Sequence, residues 1–194
     1  MLITEIFHSL QGEGYHSGMP AVFIRLGGCN LQCPFCDTPQ RSGGSQMTEA
    51  AIVAEATRWK VPLAVVTGGE PSLQLTASLV SALQDKGFLV CVETNGTRPL
   101  PANVDWITLS PKSLWLGAEA EPVLTTAHEL KVVYDDEHDP AAYSHIAAQH
   151  RFLQPCDTGD PTRNAIIMQQ AADYCLQHPE WRLSLQIHKI LNIR

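Results

Sequence analysis

Strand-like and helix-like segments alternate along most of this chain, and its least ordinary polar residues all follow the strands. The run "AVFIRLGG" (21–28) is rich in β-formers and ends on a glycine pair. Thr48 can N-cap a helix over 49–60. "LAVV" (63–66) runs into "TGGEP", a helix follows over 73–86 with Gly87 as its stop, and "FLVCVE" (88–93) leads to "TNGT". "DWITLS" (105–110) leads to "PK", "ELKVVY" (129–134) is another strand, 140–150 reads as a helix, and the strand "RFL" leads to "QPCD". Asp160 and Pro161 open a helix that runs to about His178, and "WRLSLQIH" (181–188) closes the series. Such alternation predicts a mostly parallel sheet with right-handed crossovers. The carboxyl ends of parallel strands share one side, where ligand sites form. "GGCNLQC", "TGGEP", "ETNGT", "SPK" and "QPCD" therefore converge on one mouth. There are too few βα units for an eightfold barrel, so the expected α/β architecture is a partial, open parallel (β/α) barrel in one domain, 1–194. Turn propensity explains Gly96 but not a Glu, a Lys and three Cys on one rim.

The three cysteines are Cys29, Cys33 and Cys36, in "GGCNLQCPFCDT", with Phe35 just before the last. A structural zinc site needs a fourth ligand, commonly from a second C-x2-C or an H-x3–5-H. No second C-x2-C exists. His145 and His150 have the second spacing, but they lie far along the chain and on a helix would point about 140° apart. Iron–sulfur clusters also usually take four protein ligands. Three cysteines packed into a long βα loop (27–47) therefore point to metal or redox chemistry, and a metal cluster would order the loop. Cys91 in a strand and Cys175 in a helix read as small buried apolar residues.

Composition narrows the class further. A net charge of −7 and no basic stripe argue against gripping a nucleic-acid backbone. The first residues, "MLITEIFHSLQGEG", lack the pattern of a secretory signal, and no apolar run approaches the ~20 residues that span a bilayer. The expectation is a soluble cytoplasmic protein with reduced cysteines and no membrane partner.

The C-x3-C-x2-C spacing with its aromatic, beside "TGGEP" after the second strand, resembles the radical S-adenosylmethionine superfamily. The resemblance implies a [4Fe–4S] cluster held by Cys29, Cys33 and Cys36, with the fourth iron taking the amino and carboxylate groups of S-adenosylmethionine. It places cofactor contacts at Gly69, at Ser110, Pro111 and Lys112, and at Gln154, Pro155, Cys156 and Asp157. "FHSLQGEGYHSGMPAVFIRLGGCNLQCPFCDT", "VETNGT", "SPK", "LQP" and "SLQIHKILNIR" narrow the likeness to the 7-carboxy-7-deazaguanine synthase family, across nearly the whole chain.

That family likeness implies a lyase that converts 6-carboxy-5,6,7,8-tetrahydropterin into 7-carboxy-7-deazaguanine and ammonia, for 7-deazapurine pathways such as queuosine. It also implies Mg²⁺, an electron donor such as flavodoxin, and a homodimer. Leu10, Gln11, Gly12 and Thr67 match substrate-contacting positions, and Thr38 matches a Mg²⁺ ligand. A lone hydroxyl is a feeble Mg²⁺ ligand, plausible because that ion keeps waters and shares substrate oxygens. Arg25 alternates against Val22, Ile24 and Leu26, and if its face is the barrel interior its guanidinium needs an anionic partner there. There it meets either the substrate carboxylate, as a bidentate fork, or a structural Glu. The family's terminal carboxylate reaches the substrate, with a tail (186–194 here) that usually ends Gly-x-Pro. This chain has Ile187, Asn192 and Arg194 where the family has Thr, Gly and Pro, with the length after His188 kept. His188 and the carboxylate of Arg194 are the candidate contacts, and the Arg194 side chain adds a new positive charge. Two other readings share the cysteines: an activase that installs a glycyl radical on a partner protein, and a non-enzymatic iron–sulfur electron carrier. The first needs a partner-docking surface, and the second a fourth cysteine near the triad.

Overall fold

Among the described residues, the sheet that organises the chain has nine strands in the order β3-β1-β2-β4-β5-β6-β7-β8-β9. The structure is a computed structural model and describes residues 1–36 and 43–194. In chain order the elements are β1 (Leu2–Leu10), β2 (Pro20–Leu26), β3 (Ser45–Gln46), α1 (Glu49–Ala56), β4 (Leu63–Gly68), α2 (Ala77–Gln84) and β5 (Leu89–Thr94). They continue with β6 (Trp106–Leu109), α3 (Ser113–Leu116), β7 (Thr126–Tyr134), β8 (Ala147–Pro155), α4 (Pro161–Gln177), β9 (Trp181–Leu183) and α5 (Ile187–Leu191). From β2 to β9 every neighbouring pair is parallel. β1 runs antiparallel to both β2 and β3. The sheet curls but does not close, so the open-barrel expectation holds among the described residues.

The parity of β2 sets the layers. Val22, Ile24 and Leu26 pack with Ile52, Val53 and Ala56 of α1 and with Leu79, Val80 and Leu83 of α2. Ala21 and Phe23 face the concave side with Phe7, Val65 and Cys91. Arg25 shares that parity and points into the concavity. A second helix-side cluster, built on Leu109, Leu130, Leu153, Tyr143 and Trp181, supports the other half. Thr48, Thr76 and Asp160 cap α1, α2 and α4 through their side-chain oxygens. Gly87 takes the left-handed conformation after α2.

Three elements differ from expectation. The strand β1 was not foreseen, because an antiparallel edge-covering strand lies outside the βα rhythm. Its residues Glu5 and Phe7 line the site. The helix expected over 140–150 is a 3₁₀ turn, Pro140–Tyr143, with β8 beginning after three intervening residues, at Ala147. Its alanines favour helix locally, but Ala147 and Ala148 pair with Thr126 and Ala127, and Tyr143 and Ile146 are drawn into the core. The closing segment 181–188 splits into a three-residue strand and α5. Among the described residues, no helix is long and apolar enough to cross a membrane.

Candidate active site

One cavity of about 640 Å³ opens at the carboxyl ends of the parallel strands. Its wall includes Cys29, Cys33 and Cys36, which form no disulfide. Cys29 and Cys33 are half-buried and Cys36 is exposed. The backbone N–H of Leu31 donates to the Cys29 sulfur at 3.4 Å, and Phe35 meets Trp115 edge-on at 5.0 Å. Among the described residues no group of three His, Cys, Asp or Glu side chains is arranged to hold a metal ion. An all-sulfur donor set with an N–H···S contact and an aromatic shield fits an iron–sulfur cluster.

The glycines of "TGGEP" serve the loop that carries the triad. Gly69 N–H donates to Leu26 O and Glu70 N–H to Gly28 O, both at 2.8 Å. A Cβ on Gly69 would overlap the Gly28 carbonyl, and one on Gly68 would overlap Leu26. The glycine pair thus permits two backbones to touch, which fixes the root of the cysteine loop. Glu70 is 1% exposed. It accepts from Ser72 N at 2.9 Å, Thr94 Oγ1 at 2.6 Å and Asn95 N at 2.8 Å. These bonds explain why "TGGEP" and "ETNGT" occur together: the Glu of one motif fastens the turn of the other.

Further round the rim, Lys112 donates to Ser110 O at 2.6 Å and Ser110 Oγ at 2.5 Å. Burial pulls its ammonium down to about 8. The Cys156 thiol is pushed up by burial, which keeps it protonated and a poor ligand. Asp157 is held at about 2 by Lys189, its partner at 2.5 Å. Gly69, Ser110, Lys112, Gln154, Pro155, Cys156 and Asp157 all line the cavity; Pro111 is buried and not part of its wall. Thr38 lies outside the described residues.

Leu10, Gln11, Gly12, Arg25, Thr67, His188 and Arg194 line the same cavity. Gly12 is seated under His188, where a Cβ would overlap the ring, and its carbonyl accepts from Ile187 N at 3.0 Å. Asn192 takes the left-handed conformation, φ 52°. Asn tolerates that region, which explains how it stands where the family has Gly. Arg25 meets the alternative that was left open. Its Nε donates to Glu5 Oε1 at 2.8 Å, while the side chain still lines the cavity.

The sequence reading missed the ionic floor. Lys131 sits between Glu13 at 2.5 Å and Glu93 at 3.0 Å. Gln11 donates to Glu93 at 3.0 Å and Gln186 to Glu13 at 2.8 Å. Burial alone would raise the Glu13 carboxyl, but Lys131, Gln186 and His188 outweigh it and hold it at about 2. Burial disfavours the Lys131 ammonium, yet the Glu13, Glu93 and Glu129 carboxylates raise it above the usual lysine range. A signal existed: "ELKVVY" and "FLVCVE" each place a charge inside an apolar strand, where charges are rare unless paired.

The chain is similar to known proteins over its full length. A family model described as the Radical SAM superfamily matches residues 23–114. The 7-carboxy-7-deazaguanine synthase of Bacteroides thetaiotaomicron is 48% identical, covering 99% of this chain and 98% of that protein. That of Bordetella pertussis is 43% identical, with 98% of each covered. The crystal structure of QueE from Escherichia coli superposes with a TM-score of 0.79 at 28% identity, over 95% of this chain and 93% of that one. Streptococcus suis SuiB bound to precursor peptide SuiA shares the fold alone, with a TM-score of 0.52 at 14% identity over 80% of this chain and 46% of that one. A cysteine triad on the rim of an open parallel barrel, a glycine-seated loop and these full-length likenesses agree: the chain belongs to the 7-carboxy-7-deazaguanine synthase family of radical S-adenosylmethionine lyases, with a [4Fe–4S] cluster and S-adenosylmethionine as cofactors.

Proposed function

We propose that this chain converts 6-carboxy-5,6,7,8-tetrahydropterin into 7-carboxy-7-deazaguanine and ammonia by radical ring contraction, for 7-deazapurine pathways such as queuosine. The observation that carries the reading is one cavity with two unlike sides. The cysteine side suits the cluster, and the ionic side suits a small, polar, carboxylated ring. When bound, the cluster and S-adenosylmethionine supply the radical that takes hydrogen from the pterin.

The protein's own groups orient and enclose. Cys29, Cys33 and Cys36 would hold the cluster, which would supply the electron for the radical chemistry. The rim from Gly69 through Ser110 and Lys112 to Gln154, Pro155, Cys156 and Asp157 cradles S-adenosylmethionine; Pro111 shapes the Ser110–Lys112 turn from behind it. Arg25 offers its guanidinium to the substrate carboxylate. Leu10, Gln11, Gly12, Thr67 and the ionic floor frame the ring. The tail 186–194, with His188 and the terminal carboxylate of Arg194, closes the site and excludes water from the radical. Thr38 would help hold Mg²⁺, whose charge would favour the substrate's oxygens. The enzyme works as a cytoplasmic homodimer of single-domain chains and takes its electron from a donor such as flavodoxin.

An activase must admit a polypeptide, which a cavity lined in part by the chain's own Gln186, His188, Lys189 and Arg194 does not favour, and a plain electron carrier needs no substrate cavity. Anaerobic incubation of the reconstituted protein with reductant, S-adenosylmethionine, Mg²⁺ and the carboxypterin tests the proposal. Deazaguanine product by mass spectrometry is the expected result. Cleavage of S-adenosylmethionine without that product overturns the substrate assignment.

A further inference from the structure

The last residue of the chain lies along the inner face of β1. Ser9 donates through its hydroxyl to the Arg194 carbonyl oxygen. The Arg194 guanidinium stands over the Phe7 ring, 4.9 Å from its centroid, and reaches Glu5 Oε2. Ser9, Phe7 and Glu5 alternate along one strand and so share one face. Glu5 gives its other oxygen to Arg25 Nε at 2.8 Å, and Arg25 lies over the same ring at 5.8 Å. One carboxylate is thus divided between two guanidinium groups, one from a barrel strand and one from the end of the chain. Both Arg residues line the cavity.

We propose that the Arg194 side chain is a positioning residue for the substrate carboxylate: it latches the C-terminal tail across the site through Glu5 and Phe7, and by taking one oxygen of Glu5 it keeps that carboxylate from engaging Arg25 with both. The inference rests on the substrate reading above for the identity of the carboxylate, and on geometry alone for the latch. Arg194 contributes nothing to the chemistry itself. Its side chain is 68% exposed, so the latch is weak by design. An exposed ion pair with an aromatic face beneath it shifts a closed-to-open ratio by about tenfold. That suits a cover that must release for substrate entry and product exit. Lys189, paired with Asp157 at 2.5 Å, holds the tail on the cofactor side as well.

The test uses the cluster-loaded protein with Arg194→Ala, Arg194→Lys, Glu5→Gln and the Arg194→Ala/Glu5→Gln pair, read by hydrogen exchange of the tail amides and by steady-state kinetics. Arg194→Ala should speed exchange over 190–194 about tenfold and raise KM for the carboxypterin about tenfold with kcat nearly kept. Arg194→Lys should restore part of both. In the Glu5→Gln background the Arg194→Ala step should have a smaller effect, the part that remains coming from the Phe7 ring. Unchanged tail exchange in Arg194→Ala overturns the latch. Faster exchange with unchanged KM overturns the positioning role, and a full Arg194→Ala effect in Glu5→Gln shows that Arg194 does not act through Glu5. If the wild type gives no deazaguanine product, the substrate reading fails by itself, and tail exchange still decides the latch.

Discussion

Replacing Lys131 with Met removes the ammonium that separates Glu13 from Glu93 and leaves two carboxylates facing each other on the cavity floor. The Lys131 side chain is 6% exposed, and its two ion pairs span 2.5 and 3.0 Å. Removing one partner from a buried ionic cluster costs about 3–5 kcal/mol, because the remaining charges are left without compensation. For a chain of this size each ~1 kcal/mol moves Tm by about 2–4 °C, so a fall of roughly 6–20 °C is expected at neutral pH. The pH dependence carries the mechanism. In the wild type Glu13 is depressed to about 2 from 4.5. Its stabilising contribution is therefore complete above 4.5 and is lost as pH falls from there towards 2. In the variant, burial acts on Glu13 without the opposing ammonium and raises it. Stability is then lost as pH rises and recovered as pH falls. Thermal melts by circular dichroism at pH 7.5 and pH 5 should show the variant closing part of its gap on the wild type. Substituting Glu13→Gln and Glu93→Gln together with Lys131→Met should recover stability at pH 7.5. A Tm loss under about 3 °C, or the same gap at both pH values, would refute the assignment of Lys131 as the buried counter-ion.

Gly69→Ala should lower iron and sulfide content after reconstitution, because its Cβ overlaps the Gly28 carbonyl and one backbone must move; full cluster occupancy would contradict this. Glu70→Gln keeps the shape but puts an amide N–H₂ against donors from Ser72, Thr94 and Asn95. Leaving a buried donor without an acceptor costs about 1–3 kcal/mol, visible as a lower Tm. Arg25→Lys should raise KM for the carboxypterin about tenfold through loss of the planar fork, with S-adenosylmethionine affinity unchanged by calorimetry. A shift confined to S-adenosylmethionine would place Arg25 on the wrong side of the cavity.

The βα rhythm and the motifs at the strand ends were legible because parallel topology is written locally: each strand, turn and helix carries its own signal. Cys29, Cys33, Cys36, Gly69 and Lys112 were found because their spacing or their place after a strand has no ordinary structural explanation. The ionic floor was not found, since Glu13, Glu93 and Lys131 come from one loop and two distant strands and acquire meaning only when the sheet curls. β1 was missed for a related reason. Its pairing with β2 is antiparallel, and its role as the track for the C-terminus depends on residues 185 positions apart, Ser9 and Arg194. The alanine-rich segment before β8 misled in the opposite sense, because local helix propensity lost to pairing with β7. Arg25 was placed on the right face by alternation, but its Glu5 partner required the cross-strand register Glu5↔Arg25.

The claim on which the rest depends is that three cysteines leave one iron of the cluster open to the methionine end of S-adenosylmethionine. Pulsed electron–nuclear double resonance on the reduced, reconstituted protein tests it directly, using S-adenosylmethionine labelled with ¹⁵N at the amino group and ¹⁷O at the carboxylate. Coupling of both labels to the cluster is the predicted result. Absence of coupling at saturating S-adenosylmethionine would contradict it, and would mean that the fourth position of the triad is filled by something other than the cofactor.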